Sequence, residues 1–216
     1  MKYLFPLLMV LVIGGCASMN QTKRIAGVPH PAERMREIRT LGENASKIPE
    51  NKKEEYVQTL RTILNEETDA LIRREAVLAV AHMKVASAGD AIALAMKDND
   101  RDVRQASVSA WATYGGERAV TSLIAMLGSE TDLDIRLDCI DALGSLKDPR
   151  AVAAMAAPLS ENNPALQHYT VLALQKITGK STTDPVEWLA YCQEHGGNVV
   201  ATEKAVAQNL PLSRDE

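Results

Sequence analysis

The chain has 216 residues, 46% of them hydrophobic and 24% charged, with 24 Lys and Arg against 28 Asp and Glu and a net charge of −4. That is the composition of one globular domain of ordinary size, and its mild acidity disfavours mass electrostatic binding to nucleic acid. Aromatic residues make up only 4% while Ala, Leu and Val abound, which argues against a sandwich or barrel and for an all-α fold whose helices pack closely through small side chains.

The chain opens with Met1-Lys2, an apolar run from Tyr3 to Ile13, and then Gly14-Gly15-Cys16. A charged start, a hydrophobic middle and a small-residue end are the three parts of a secretory signal. The apolar run is too short for a transmembrane helix, which needs about 20 residues. Ile13-Gly14-Gly15-Cys16 resembles the lipobox of bacterial lipoproteins. The resemblance implies cleavage of residues 1–15 and a diacylglycerol on the Cys16 thiol, which then becomes the lipid attachment site and first mature residue. Several acyl chains on one cysteine hold a domain on a membrane essentially permanently, since each buried methylene contributes about 0.8 kcal/mol. Ala17 follows the cysteine where Asp would mark inner-membrane retention, so the resemblance implies a lipid-anchored, periplasm-facing place on the outer membrane.

Residues 16–31 carry no helical or strand period and end in a His flanked by prolines. They read as a flexible tether with a reach of roughly 20 Å. A helical period starts at Ala32 and defines the expected folded region, 32–197. Runs at 32–47 and 51–65, separated by Pro49, are expected to form a degenerate first hairpin that caps the N-terminal end.

From there the chain repeats. With Ile72, Val103, Ile135 and Leu166 as origins, the units are spaced by 31, 32 and 31 residues, a self-similarity that single helices do not impose. Three residues before the origins stand Asp69, Asp100, Asp132 and Asn163, side chains suited to capping a helix start. Plus four is Ala76, Ser107, Cys139 and Thr170, and plus seven is always Ala. Plus eight is Val80, Trp111, Leu143 and Leu174; plus eleven is Met83, Tyr114, Leu146 and Ile177. These positions fall in a stripe about 100° wide, the face that a helix buries. Turn signals at 87–90, Gly115-Gly116 and Asp148-Pro149 then lead into second amphipathic runs such as 119–127 and 151–159, so each unit is expected to be a helical hairpin.

The pattern resembles HEAT repeats of the short, bilin-lyase-like type. It does so most clearly in Asp132-Leu-Asp-Ile-Arg136, Ala142-Leu-Gly144 and Lys147-Asp-Pro-Arg-Ala-Val152, over roughly residues 54–177. The resemblance implies an α-solenoid of stacked HEAT-type hairpins. It also implies that Asp69, Arg73, Asp100, Arg104, Asp132 and Arg136 form a structural ladder linking adjacent repeats. At the C-terminal end, Asp184-Pro185-Val186-Glu187 reads as a helix start and Gly196-Gly197 as its stop, with Trp188, Leu189 and Cys192 on one face. Residues 198–216 lose the period and read as a tail, with room for a short helix at 201–208.

No catalytic constellation, cofactor motif or metal-ligand spacing is present. The four histidines are scattered, no Cys-x-x-Cys or His-x-x-x-His occurs, and the Gly pairs sit in helical context. Cys139 and Cys192 read as buried thiols rather than as a disulfide. The expected function is therefore non-enzymatic. The chain reads as a membrane-tethered scaffold or assembly factor, expected to be monomeric from its capped ends, that binds a protein or extended peptide in the solenoid groove. A self-associating structural envelope protein is the first alternative, and a bilin-lyase-like enzyme, implied only by the resemblance, is the second.

Overall fold

A computed structural model describes residues 30–195. The signal segment 1–15, Cys16, the tether up to residue 29, the Gly196-Gly197 stop and the tail 198–216 lie outside the described residues. The α-helices are α1 (Pro31–Glu43), α2 (Glu50–Glu66), α3 (Ala70–Ala81), α4 (Ala86–Ala95), α5 (Arg101–Tyr114), α6 (Gly116–Ser129), α7 (Leu133–Leu146), α8 (Ala156–Ser160) and α9 (Pro164–Thr178). A tenth, α10, covers 185–195. No strand occurs among the described residues.

Two layers result. The first helices α1, α3, α5, α7 and α9 pack one on the next, while α2 packs on α4, α4 on α6, and α6 on the turn Pro149–Ala151. This is the all-α solenoid expected from the repeat. The stripe is the reason: Ile72, Val103, Ile135 and Leu166 are buried, as are the plus-four, plus-seven and plus-eight residues of all four units. Each large side chain among them contributes about 1.5–3 kcal/mol by leaving water.

Small residues set the spacing of the first layer. A Cβ built on Gly42 would stand 2.8 Å from Ala79 Cα, and one on Gly144 would stand 2.8 Å from Ala173 Cα. Both glycines occupy the same register, nine residues after the unit origin if α1 is numbered from Glu33, and both meet the invariant Ala of the following unit.

Helix starts follow the capping expectation. Asp69 accepts from the Leu71 N–H at 2.9 Å, Asp100 from Asp102 and Val103, Asp132 from Ile135 at 3.1 Å, and Asn163 from Ala165 and Leu166. Asp184 accepts from the Val186 N–H at 2.9 Å at the start of α10. These bonds satisfy backbone donors that a helix leaves open. Among the first-helix ends, α5 stops at left-handed Gly115 (φ 73) and α9 at Gly179 (φ 75), the residue type with no Cβ to oppose that conformation. Lys84 holds a similar φ of 56, and its ammonium donates to the Thr113 and Tyr114 carbonyls at the end of α5.

Two expectations are corrected. Residues 87–90 are not a turn but lie inside α4, where Gly89 is buried and a Cβ on it would meet the Arg118 guanidinium at 2.7 Å. Residues 151–159 are not one amphipathic helix but two 3₁₀ turns followed by the five-residue α8. Pro158 explains the break, because it lacks an N–H for the residue four before it and its ring crowds that carbonyl.

The plus-four position carries a hydroxyl in two units. Ser107 donates to the Arg104 carbonyl at 2.6 Å, whereas Thr170 Oγ1 is buried without a partner. Thr170→Val keeps the shape and removes the orphan polar group. It is expected to raise stability by about 1 kcal/mol, read as a higher midpoint in urea unfolding.

Candidate functional site

A ladder of ion pairs runs along the edge where the first helices begin. Arg73 reaches the carboxylate of Asp98 through two bonds of 2.8 Å, and its remaining guanidinium nitrogen donates to the Glu67 and Thr68 carbonyls. Arg104 repeats this with Glu130 at 2.9 Å and the Asp98 and Asn99 carbonyls. Arg136 pairs with Glu161, one bond being 2.9 Å, and Arg34 of α1 pairs with Glu67. Arg73 and Arg104 therefore hold their own entry loops by the backbone, and all four arginines hold the next unit's entry loop by a carboxylate.

The expected partners of these arginines are corrected. Asp69, Asp100 and Asp132 spend their oxygens on helix N–H groups, and the rungs are completed by the acids two residues before each cap: Glu67, Asp98, Glu130 and Glu161. Asp132 alone also bridges between units, to Arg101 at 2.7 Å. A sequence signal for the acids existed, since Asp98, Glu130 and Glu161 keep the same spacing as the caps. In the last unit the ladder stops. Gln167 stands where the arginines stood, and its amide donates back to the Leu159 and Glu161 carbonyls with no charge to offer forward.

The electrostatics agree with a structural role. Arg73 holds the Asp98 carboxyl below its usual range, helped by the Asp100 N–H. For Glu130, burial pushes upward, but Arg104 and the Asp132 and Thr131 N–H groups outweigh it and the carboxyl ends lowered. The Arg136 guanidinium lowers Glu161. A cleft of about 320 Å³ between the ends of α2 and α4 is walled by Leu64, Asn65, Lys97 and the Arg73–Asp98 pair, and that pair's charges are already committed to each other.

The outward faces of the two layers differ. The first layer shows Arg39, Arg74, Asp102, Asp134, Asp141 and Lys176 to solvent. In the second layer the residues opposite the buried stripe recur at i, i+4 and i+7. On α2 and α4 they are Gln58, Thr62 and Asn65, then Asp90, Leu94 and Lys97, with Asp90 paired to Arg118. On α6 they are Thr121, Ala125 and Gly128. The segment 149–160 gives Ala153, Ala157 and Ser160, and α10 gives Val186, Ala190 and Gln193. From α6 onward these three-residue rows hold no charge, but exposed charges flank them: Glu117 and Arg118 in the first turn of α6, and Glu187 and Glu194 on α10. Val186 is 72% exposed, the most open large apolar side chain among the described residues. Periodicity alone does not separate the exposed from the buried side of the runs 119–127 and 151–159, so sequence reading names none of these residues. The signal lay in the missing charge at positions facing away from the core.

The remaining chemistry is quiet. Cys139 and Cys192 are buried free thiols, pushed up to about 12 and about 11 by desolvation, which makes them poor nucleophiles. Among the described residues no group of His, Cys, Asp or Glu could hold a metal ion, and no described helix is long and apolar enough to cross a membrane.

Residues 57–143 match the family described as HEAT repeats. No curated protein matches the chain. Solved structures similar to it include two engineered proteins from the Northeast Structural Genomics Consortium. One is 17% identical, with 81% of this chain and 91% of that chain covered and a TM-score of 0.45. The other is 18% identical, with 76% of this chain covered and a TM-score of 0.44; the match spans 48% of its own length.

Proposed function

We propose that this protein, with HEAT repeats across residues 57–143, is a membrane-tethered, non-enzymatic scaffold or assembly factor of the bacterial envelope. HEAT repeats are commonly protein-interaction modules, and the observation that carries the reading here is the uncharged row Thr121, Ala125 and Gly128 on α6, Ala157 and Ser160 of 149–160 and Ala190 on α10, which Glu117, Arg118, Arg150 and Glu194 flank. Ala125, Gly128, Ala157 and Ala190 let a partner's backbone approach closely, and the charges beside them stand at the rim, where they can stay hydrated. An extended segment or a helix of uncharged, partly apolar character fits that face.

Cys16 supplies the tether in this reading. The lipobox-like Ile13-Gly14-Gly15-Cys16 places an acylated thiol at the mature N-terminus, and Ala17 supports the outer membrane as its address. The self-associating alternative is disfavoured by the ends of the first layer. Continuing the register of the units, α1 turns Arg36, Thr40 and Glu43 outward at the N-terminal end, whereas α9 turns Leu172 outward at the other, so head-to-tail stacking would strand charge against an apolar edge.

The test is crosslinking and purification of the full-length chain from its own membranes, beside an Ala125→Glu/Ala157→Arg double variant and Cys16→Ser. One dominant partner is expected with the unmodified chain and at least a tenfold loss of it with the double variant, while Cys16→Ser moves the chain out of the membrane fraction. The same partners at the same yield with the double variant would rule out the face, and a membrane-bound Cys16→Ser/Ala125→Glu/Ala157→Arg chain would rule out the tether.

A further inference from the structure

At plus eight, where three units bury the aliphatic Val80, Leu143 and Leu174, the third hairpin buries Trp111. Its indole brings an N–H donor to a place where the other units put hydrocarbon, and a buried indole N–H needs an acceptor. The acceptor is the thioether of Met96, 2.9 Å away at the end of α4. The register places Asn65, Gly128 and Leu159 where Met96 stands, so the donor and its acceptor occur together in this unit. Trp188, by contrast, donates to the Thr182 carbonyl. The Trp111 ring is fixed from other sides as well: Tyr114 meets it edge-to-face with centres 5.6 Å apart, and the Arg118 guanidinium stands 5.9 Å over it.

A thioether is a weak acceptor, and it is one that an oxidant converts into a polar sulfoxide. Among the described methionines Met83, Met126 and Met155 are buried, whereas Met35 and Met96 are half-buried. Met35 lies on the terminal helix α1, but Met96 lies at the joint between the second and third hairpins. Directly after it, the Lys97 and Asp98 N–H groups donate to the Leu94 and Ala95 carbonyls and close the end of α4. Asp98 then carries the rung to Arg73 through its carboxylate and receives Arg104 on its carbonyl. A displacement of Met96 is thus two residues from both bonds.

We propose that Met96 is an oxidative modification site, and that its sulfoxide softens the joint between the second and third hairpins. One oxygen atom passes from hydrogen peroxide to Met96 Sδ: the O–O bond breaks, an S–O bond forms and water leaves, the sulfur giving up the two electrons that the peroxide takes. The indole engages one lone pair of the sulfur and leaves the other for this attack. With sulfur and indole nitrogen 2.9 Å apart, no oxygen fits between them. The sulfoxide therefore either swings away and strands the Trp111 N–H in the core, or turns its oxygen to the indole and pushes the end of α4 off α5. Both routes loosen the loop that holds Asp98. Methionine sulfoxide reductases reverse the change.

The experiment treats the full-length, detergent-solubilised protein with hydrogen peroxide and maps the added oxygen by peptide mass spectrometry, beside Met96→Leu, which keeps the apolar volume, and Met35→Leu. Sulfoxide is expected at Met96 before the buried Met83, Met126 and Met155. Oxidation should lower the thermal midpoint by about 3 °C and shift the tryptophan emission in the unmodified chain and in Met35→Leu, and do neither in Met96→Leu. Reductases for both sulfoxide epimers should restore the midpoint. A Met96 that stays a thioether while Met35 is oxidised would overturn the proposal. So would a Met96 sulfoxide that leaves midpoint and emission unchanged, or an equal loss in Met96→Leu. The mapping and the midpoint of Met35→Leu decide the matter without relying on the folding of Met96→Leu.

Discussion

Gly144→Ala is expected to destabilise the protein by about 2 kcal/mol, while the same change at Gly128 is expected to stabilise it by up to about 1 kcal/mol. Both glycines lie in helices, α7 and α6, where alanine is the better helix former by close to 1 kcal/mol. A Cβ on Gly144 would meet Ala173 Cα at 2.8 Å and Ala173 Cβ at 2.9 Å, and neither can rotate away, so α7 and α9 must part. That parting loosens the burial of Leu143 and Leu174 and works against the Arg136–Glu161 rung at the same interface. At Gly128 nothing lies within 4 Å of the added carbon, so the propensity gain stands alone. Urea midpoints that move the same way for both variants would contradict this account.

Arg104→Ala is expected to cost about 3 kcal/mol at neutral pH, because it leaves Glu130 ionised and all but enclosed. The Glu130 side chain is 8% exposed, and the substitution also strips donors from the Asp98 and Asn99 carbonyls. Arg101→Ala serves as the contrast. Its guanidinium is 41% exposed among Asp102, Asp132 and Asp134, and exposed pairs of that kind contribute about 0.5 kcal/mol.

The pH dependence follows from the lowered carboxylates. Glu67, Asp98, Glu130 and Glu161 all titrate below their unfolded values in the native chain. Their contribution is complete above the unfolded carboxylate range of about 4 and is lost as the pH falls through the lower native values. The native protein should thus lose stability below about pH 4. The gap between it and Arg104→Ala should narrow over the same interval, since a protonated Glu130 no longer needs the guanidinium. A gap that stays constant from pH 7 to pH 3 would show that the arginine acts through packing alone.

The repeat was legible because three independent signals share one spacing: a capping oxygen, an arginine four residues later, and a stripe of small and large apolar residues. What the sequence concealed was the division of labour among neighbouring acids. Asp100 stands immediately before α5 and Asp98 three residues before it, yet the first is consumed by the helix start and the second is left to meet Arg73. Only the path of the loop decides between them. The start of α4 was hidden by Gly89, which looks like a turn residue and is instead a space for Arg118. The candidate face was hidden because it is defined by missing charge, and its phase depends on where Pro158 interrupts the helix.

The ladder also defines what a genetic unit of this protein is. Removing residues 100–131 would take Arg104 and Glu130 out together, leave Arg73 with Asp98 and Arg136 with Glu161, and bring the cap Asp132 in after Asn99. The alanine at plus seven would then be met by a helix of the same register, Ala142 replacing Ala110. A unit can therefore be lost or duplicated with every remaining rung of the ladder still paired, so the length of the array is free to drift by whole copies across generations while its two ends stay fixed.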